Sequence, residues 1–132
     1  MTSYVYFEDD QLSGEIMSLT LNFQLGITDL TIWNDSVDFM PRLRSLCVQP
    51  EVIFLDIHIG PTDGFGILKG IRADTAFDSA KIVAVTAGVT GDEVDQLQMA
   101  GFDGAIGKPI EIATFPEVLA RIMRGERVWQ CM

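Results

Sequence analysis

The 132-residue chain is poor in cysteine, poor in basic side chains and free of any long apolar run, and each shortage narrows what it can be. Its two cysteines, Cys47 and Cys131, are too few and too far apart for a disulfide framework or a zinc site, which suits a reducing, cytosolic (cytoplasmic) setting. No apolar stretch approaches the roughly 18–20 residues of a membrane-crossing helix, and no basic-then-apolar signal pattern opens the chain. Nine Lys and Arg stand against 19 Asp and Glu, a formal net charge of −10. Such a surface repels DNA, RNA and anionic lipid, so direct nucleic-acid binding is not expected, whereas a protein partner or a cation is. Nothing repeats internally, and no linker or low-complexity tract divides the chain.

What is present is a globular composition, 48% hydrophobic and 21% charged, arranged as apolar runs alternating with helical periodicity. The runs Tyr4 to Glu8, Asp29 to Asn34, Val52 to Ile57 or His58, Ile82 to Thr86 and Gly104 to Lys108 read as five strands. A first helix is expected from Asp10 or Gln11 to Gln24, with Leu12, Ile16, Leu19 and Phe23 on one stripe and Gly26 as its stop. Ser36 caps a second, with Val37, Met40, Leu43 and Leu46 inward and Pro41 as a kink. A third runs from Phe65 to Ala73 with Ile67, Leu68 and Ile71 inward, and a fourth from Thr90 to Ala100, stopped by Gly101. Thr114 caps a fifth, with Pro116 in its first turn and Val118, Leu119, Ile122 and Met123 as its apolar face. This alternation predicts an α/β fold, one parallel sheet of five strands with helices on both faces. The domain is expected over residues 1–125. Residues 126–132 then form a tail that frays rather than docks through Trp129.

The strands end in chemistry. Glu8-Asp9-Asp10 follows the first, Asp56 closes the third, Thr86 ends the fourth and Lys108-Pro109 the fifth. Carboxyl ends of parallel strands form the ligand edge of an open α/β sheet. Taken singly, each residue has an ordinary role: turn former, helix cap, strand residue, solvated charge. Taken together, they put carboxylates, a hydroxyl and an ammonium on one edge. Clustered carboxylates raise one another's pKa unless a cation neutralises them, and an all-oxygen set favours Mg²⁺. Phosphoryl transfer asks mainly for positioning and charge stabilisation, which such a set supplies.

With Phe7-Glu8-Asp9-Asp10, Leu55-Asp56, Asp63-Gly64, Val85-Thr86-Ala87 and Lys108-Pro109 in this order, the chain resembles the receiver domain of bacterial two-component response regulators. The likeness covers about Tyr4 to Arg124. It implies a flavodoxin-like doubly wound sheet of order 2-1-3-4-5. It also implies that Asp56 is the phosphoacceptor, taking its phosphoryl group from a phosphohistidine of a sensor kinase or phosphotransfer protein. Glu8, Asp9 and Asp56 would hold Mg²⁺ with the backbone carbonyl of His58. Thr86 would be the switch hydroxyl, Ala87 would offer a backbone N–H to the phosphoryl group, and Lys108 would form the salt bridge. Asp10 suits a helix start better. Such a protein catalyses only its own phosphorylation and autodephosphorylation. A stand-alone receiver is expected to signal through a partner on the face made by helix four, strand five and helix five, or to relay phosphate onward.

Several positions depart from the pattern. Gly60 stands where the family usually has Pro, although Pro61 follows. His58 reads as a rim residue, and Gly88 brings no side chain to an attacking water. Ala105 replaces the frequent strand-five aromatic, so switching is expected to rely on backbone shifts near Thr86 and helix four. The alternatives are a haloacid-dehalogenase-like aspartyl-phosphate phosphatase, a phosphorylation-independent scaffold receiver and a flavodoxin-like flavin binder. The first wants a second Asp two residues past the nucleophile, where His58 sits. The last meets an acidic rim hostile to a bare phosphate.

Overall fold

Glycine and proline punctuation divides the chain into strands and helices in strict alternation. The structure, a computed structural model, describes residues 3–87 and 90–129, so Gly88 lies outside the described residues. In chain order the elements are β1 Tyr4–Phe7, α1 Gln11–Leu25, β2 Leu30–Trp33, α2 Phe39–Arg44, β3 Val52–Asp56, α3 Gly64–Arg72, β4 Lys81–Ala87, α4 Gly91–Ala100, β5 Gly104–Lys108, α5 Phe115–Met123 and β6 Val128–Trp129. A 3₁₀ turn, Thr75–Phe77, leads into β4. The sheet order is β2-β1-β3-β4-β5-β6, with every neighbouring pair parallel. The expected doubly wound order therefore holds, with one strand added at the β5 edge.

Alternation along the strands sorts the core into two layers. Tyr4, Tyr6, Val52, Phe54, Val83, Val85 and Ile106 pack with Met17 and Leu21 of α1 and with Phe115, Val118, Leu119 and Ile122 of α5. Val5, Phe7, Ile53, Leu55, Ile82, Ala84 and Ala105 pack with Leu43, Ile67, Leu68, Ile71 and Leu97 from α2, α3 and α4. Carried two residues past Tyr6, Phe54 and Ile106, the period places Glu8, Asp56 and Lys108 on the α1–α5 side. Thr86, two past Ala84, continues the opposite face.

Val37 and Met123, expected on apolar inner faces, are 44% and 36% exposed, and four further expectations need correction. The stripe Leu12, Ile16, Leu19, Phe23 is not the buried face of α1. Leu12, Leu19 and Phe23 are 62%, 53% and 81% exposed, while Gly14, Met17, Thr20 and Leu21 are buried. Gly14 faces Ile32 of β2, and Met17 and Leu21 on the same side of the helix pack on the sheet. Ser36 does not cap α2. It is buried and locks the loop before α3, donating to Thr62 O and accepting from Thr62 N, both at 2.7 Å. Thr114 stands at the N-cap position of α5, but its hydroxyl donates to Glu111 at 3.4 Å instead of capping.

The fourth concerns the tail. Val128 and Trp129 pair with Gly104 and Ala105 as β6, and Trp129 packs on the α3–α4 side of the core. Small residues make this docking possible. A Cβ on Gly104 would lie 3.0 Å from Val128 O and 2.9 Å from Ile122 Cδ1.

Local signals explain how α3 is delivered to the site. Asp63 caps it by accepting from Gly66 N at 2.9 Å, and Gly64 packs on the backbone that carries the phosphoacceptor candidate. A Cβ on Gly64 would sit 2.9 Å from Ile57 Cα and 3.1 Å from Asp56 O. Because backbone cannot step aside as a side chain can, Gly64→Ala is expected to cost about 2–3 kcal/mol, read as a lower urea midpoint at unchanged slope.

Candidate functional site

The end of β1, the end of β3 and the end of β5 meet at the carboxyl edge of the sheet. One carboxylate oxygen each from Glu8, Asp9 and Asp56 gathers within 4.8 Å of the others. Glu8 and Asp56 are buried and Asp9 is exposed, so the cluster opens outward through Asp9. Lys108 reaches in from β5. Its Nζ lies 2.5 Å from Glu8 Oε1 and 3.4 Å from Asp56 Oδ2. The Lys108–Pro109 peptide is cis, as is Gly60–Pro61.

Each carboxylate has a distinct set of donors. Asp56 Oδ1 accepts from the backbone N–H of His58 at 3.0 Å, a bond made by the turn that ends β3. Glu8 Oε1 accepts from the Tyr6 hydroxyl at 2.6 Å. Asp10 caps α1, accepting from Ser13 N at 3.1 Å and Ser13 Oγ at 2.7 Å, and those bonds hold its carboxyl below the usual range. The helix-start reading of Asp10 is the observed one.

Burial, then the neighbouring Asp56, pushes the Glu8 carboxyl up, against the pull of Lys108 and Tyr6. Burial opposes the Lys108 ammonium, but Glu8 and Asp56 outweigh it and raise that group. Burial and Glu8 also push the Tyr6 phenol up, so it stays a donor. The sign for Glu8 follows from linkage. A carboxyl with a raised folded pKa contributes stability that is complete below its ordinary value of 4.5 and lost as pH climbs through the folded value. Glu8→Gln is therefore expected to unfold at a temperature that rises relative to wild type as pH increases from 4.5 to neutrality in metal-free buffer. Added Mg²⁺ should shrink that difference by stabilising the wild type.

Three further residues border the cluster without adding a side chain to it. Thr86 is fully buried on the opposite face, and its hydroxyl donates to Glu93 Oε1 of α4 at 3.1 Å. Ala87 is exposed and lines a cleft with Asp10, Leu12, Lys108 and Ile110. His58 is also exposed, beside a cleft shared with Phe65, Thr90 and Glu93. Tyr6 and Glu93 are the two residues that sequence reading missed. Tyr6 was findable, since it sits two residues before Glu8 on the same strand face. Glu93 falls in Thr90-Gly91-Asp92-Glu93, the spacing of a capping box. Thr90 does cap α4 by accepting from Glu93 N at 3.2 Å, yet the Glu93 carboxylate turns to Thr86, which no spacing rule foretells.

The donor set is hard oxygen throughout, with one exposed and two buried carboxylates at ligand spacing. It suits Mg²⁺, which binds through one or two carboxylates and keeps several waters. An acidic cradle beside a lysine, on the edge of a doubly wound sheet, supplies the charge and positioning that phosphoryl transfer asks for. Residues 5–120 match the family model of the response regulator receiver domain, and the chain belongs to that family.

Curated relatives agree in kind. The osmosensing histidine protein kinase of Saccharomyces cerevisiae is 28% identical over 107 residues, 79% of this chain and 9% of the kinase. The nitrate/nitrite response regulator protein homolog of Haemophilus influenzae is 29% identical over 112 residues, 85% of this chain and 50% of that protein. The chain thus spans half or less of these relatives. Among solved structures, the signal receiver domain of a DNA-binding response regulator from Colwellia psychrerythraea superposes with a TM-score of 0.81 at 22% identity, covering 94% of this chain and 99% of that one. A chemotaxis response regulator of Vibrio cholerae gives 0.80 at 19% identity, covering 92% and 98%. These two likenesses concern the fold. Among the described residues, no helix is long and apolar enough to cross a membrane.

Proposed function

We propose that Asp56 is the phosphoacceptor of a phosphorelay and that the phosphorylated chain signals by protein binding. The observation that carries this reading is the gathering of Glu8, Asp9 and Asp56 within 4.8 Å of one another, with the Lys108 ammonium on Glu8 and Asp56. A carboxylate oxygen of Asp56 attacks the phosphorus of a phosphohistidine. The new P–O bond forms an acyl phosphate, the P–N bond breaks, and the freed imidazole takes up a proton. Bound Mg²⁺ would neutralise charge on the transferring group. Glu8, Asp9, Asp56 and the His58 carbonyl would hold it.

The chain's own groups do the rest. The His58 N–H fixes the Asp56 carboxylate in orientation, and Lys108 draws off negative charge between Glu8 and Asp56. Thr86 leaves Glu93 for a phosphoryl oxygen, and the Ala87 N–H donates to the same group. That exchange biases a pre-existing equilibrium of the β4–α4 region instead of creating a new shape. Phosphoryl supply by a histidine protein fits relatives that are themselves histidine kinases, those of S. cerevisiae and Dictyostelium discoideum. The output surface proposed is the α4–β5–α5 face.

The test is single-turnover labelling of the chain from a small phosphodonor such as acetyl phosphate. One hydroxylamine-sensitive adduct that requires Mg²⁺ and maps to the peptide holding Asp56 is the expected result. Repeated turnover of a small phosphate ester would instead favour the phosphatase reading. Labelling at another residue, or with equal speed in EDTA, sinks the proposal.

A further inference from the structure

We propose that Tyr6 is a positioning residue for the metal-binding carboxylates, holding Glu8 so that one defined oxygen faces the cation. The inference rests on the reading of Glu8, Asp9 and Asp56 as a Mg²⁺ site and deepens it.

The strand geometry builds the arrangement. Glu8 follows Tyr6 by two residues, just past the end of β1, as Asp56 follows Phe54 on β3, and Tyr6 lies in register with Phe54. Both pairs therefore project to the α1–α5 side, with the ring layer beneath the carboxylate layer. The Tyr6 ring is fully buried and meets Phe54 edge to face, centroids 6.0 Å apart at 73°. Locked from below, it sends its hydroxyl up to Glu8 Oε1 at 2.6 Å.

Oxygen by oxygen, the consequence is specific. Glu8 Oε1 already receives two inner donors, the Tyr6 hydroxyl and the Lys108 ammonium at 2.5 Å. Oε2 is the less committed oxygen, its contact being a long 3.4 Å approach from Asp10 N. The carboxylate is thus held by one oxygen, which leaves Oε2 as the one with lone pairs to spare for a cation. A phenol suits this task because it is neutral, adds no competing charge and cannot displace the cation's ligands. With Phe at this position, Oε1 would depend on Lys108 alone, and Lys108 is shared with Asp56. Partners that orient metal ligands typically carry 10–100-fold in metal affinity.

The experiment is Mg²⁺ titration of the full chain, wild type against Tyr6→Phe, by calorimetry. A dissociation constant raised roughly tenfold or more, with cooperative unfolding retained, is the expected result. Wild-type affinity in Tyr6→Phe overturns the proposal while leaving the metal site standing. A wild type that binds no Mg²⁺ overturns the site reading and the proposal with it. A second measurement needs no variant: the ring-carbon resonance bonded to the Tyr6 hydroxyl should follow Mg²⁺ with the midpoint of the Asp56 carboxyl carbon. A Tyr6 resonance indifferent to Mg²⁺ overturns the proposal as well.

Discussion

Lys108→Ala is expected to cost the metal-free protein about 3 kcal/mol of folding stability, most of it regained on adding Mg²⁺. The reason is the imbalance it leaves. The Glu8 side chain is 0% exposed and that of Asp56 only 6%, and Lys108 is the cation within 4 Å of both. Removing one partner from a buried ionic group costs more than the group is worth intact, because the remaining charges stay desolvated. Urea unfolding with and without Mg²⁺ reads this out. The pH window follows from the raised Lys108 group: its contribution is complete below the ordinary lysine value of 10.5 and lost above it. The deficit of Lys108→Ala should therefore persist through neutrality and close in strong alkali. A variant as stable as wild type at pH 7 in EDTA would show that the carboxylates need no ammonium.

Asp56→Asn should act with the opposite sign on stability while erasing the chemistry. An amide oxygen can still accept from the His58 N–H, so the turn after β3 keeps its bond. One of three crowded negative charges is gone, and Glu8 loses the neighbour that raises its pKa. The metal-free variant is expected to unfold at a higher urea midpoint than wild type, because that crowding is relieved. Phosphoryl labelling should fall to background, since an amide offers no nucleophilic oxygen for an acyl phosphate. Measuring both on one preparation separates loss of the acceptor from loss of the fold. Residual labelling at wild-type speed would move the acceptor elsewhere.

Strand ends were the legible part of this chain. Buried runs such as Val52-Ile53-Phe54-Leu55 carry a signal of burial on both faces, and the polar residue closing each run marks the edge where ligands meet. Glu8, Asp9, Asp56 and Lys108 could be grouped on that basis alone. The face of α1 could not. Its sequence offers two apolar rows, Leu12-Ile16-Leu19-Phe23 and Met17-Leu21, and the choice is made by packing against the strands and α5, contacts between elements. Ser36 misled for a similar reason: a hydroxyl before a helix pattern reads as a cap, yet its partner, Thr62, is 26 residues away. The Thr86–Glu93 bond likewise joins side chains whose meeting depends on where α4 lies over β4.

The strand Val128–Trp129 bears on the output face proposed for this domain. The flank beside β5 is already paired with the chain's own backbone, and the spot opposite Ala105 is taken by Trp129. A protein docking there either reads the outer border of these two residues or must first strip them away. Substitutions after residue 125 could thus retune whom the domain speaks to while leaving every phosphate-handling group untouched.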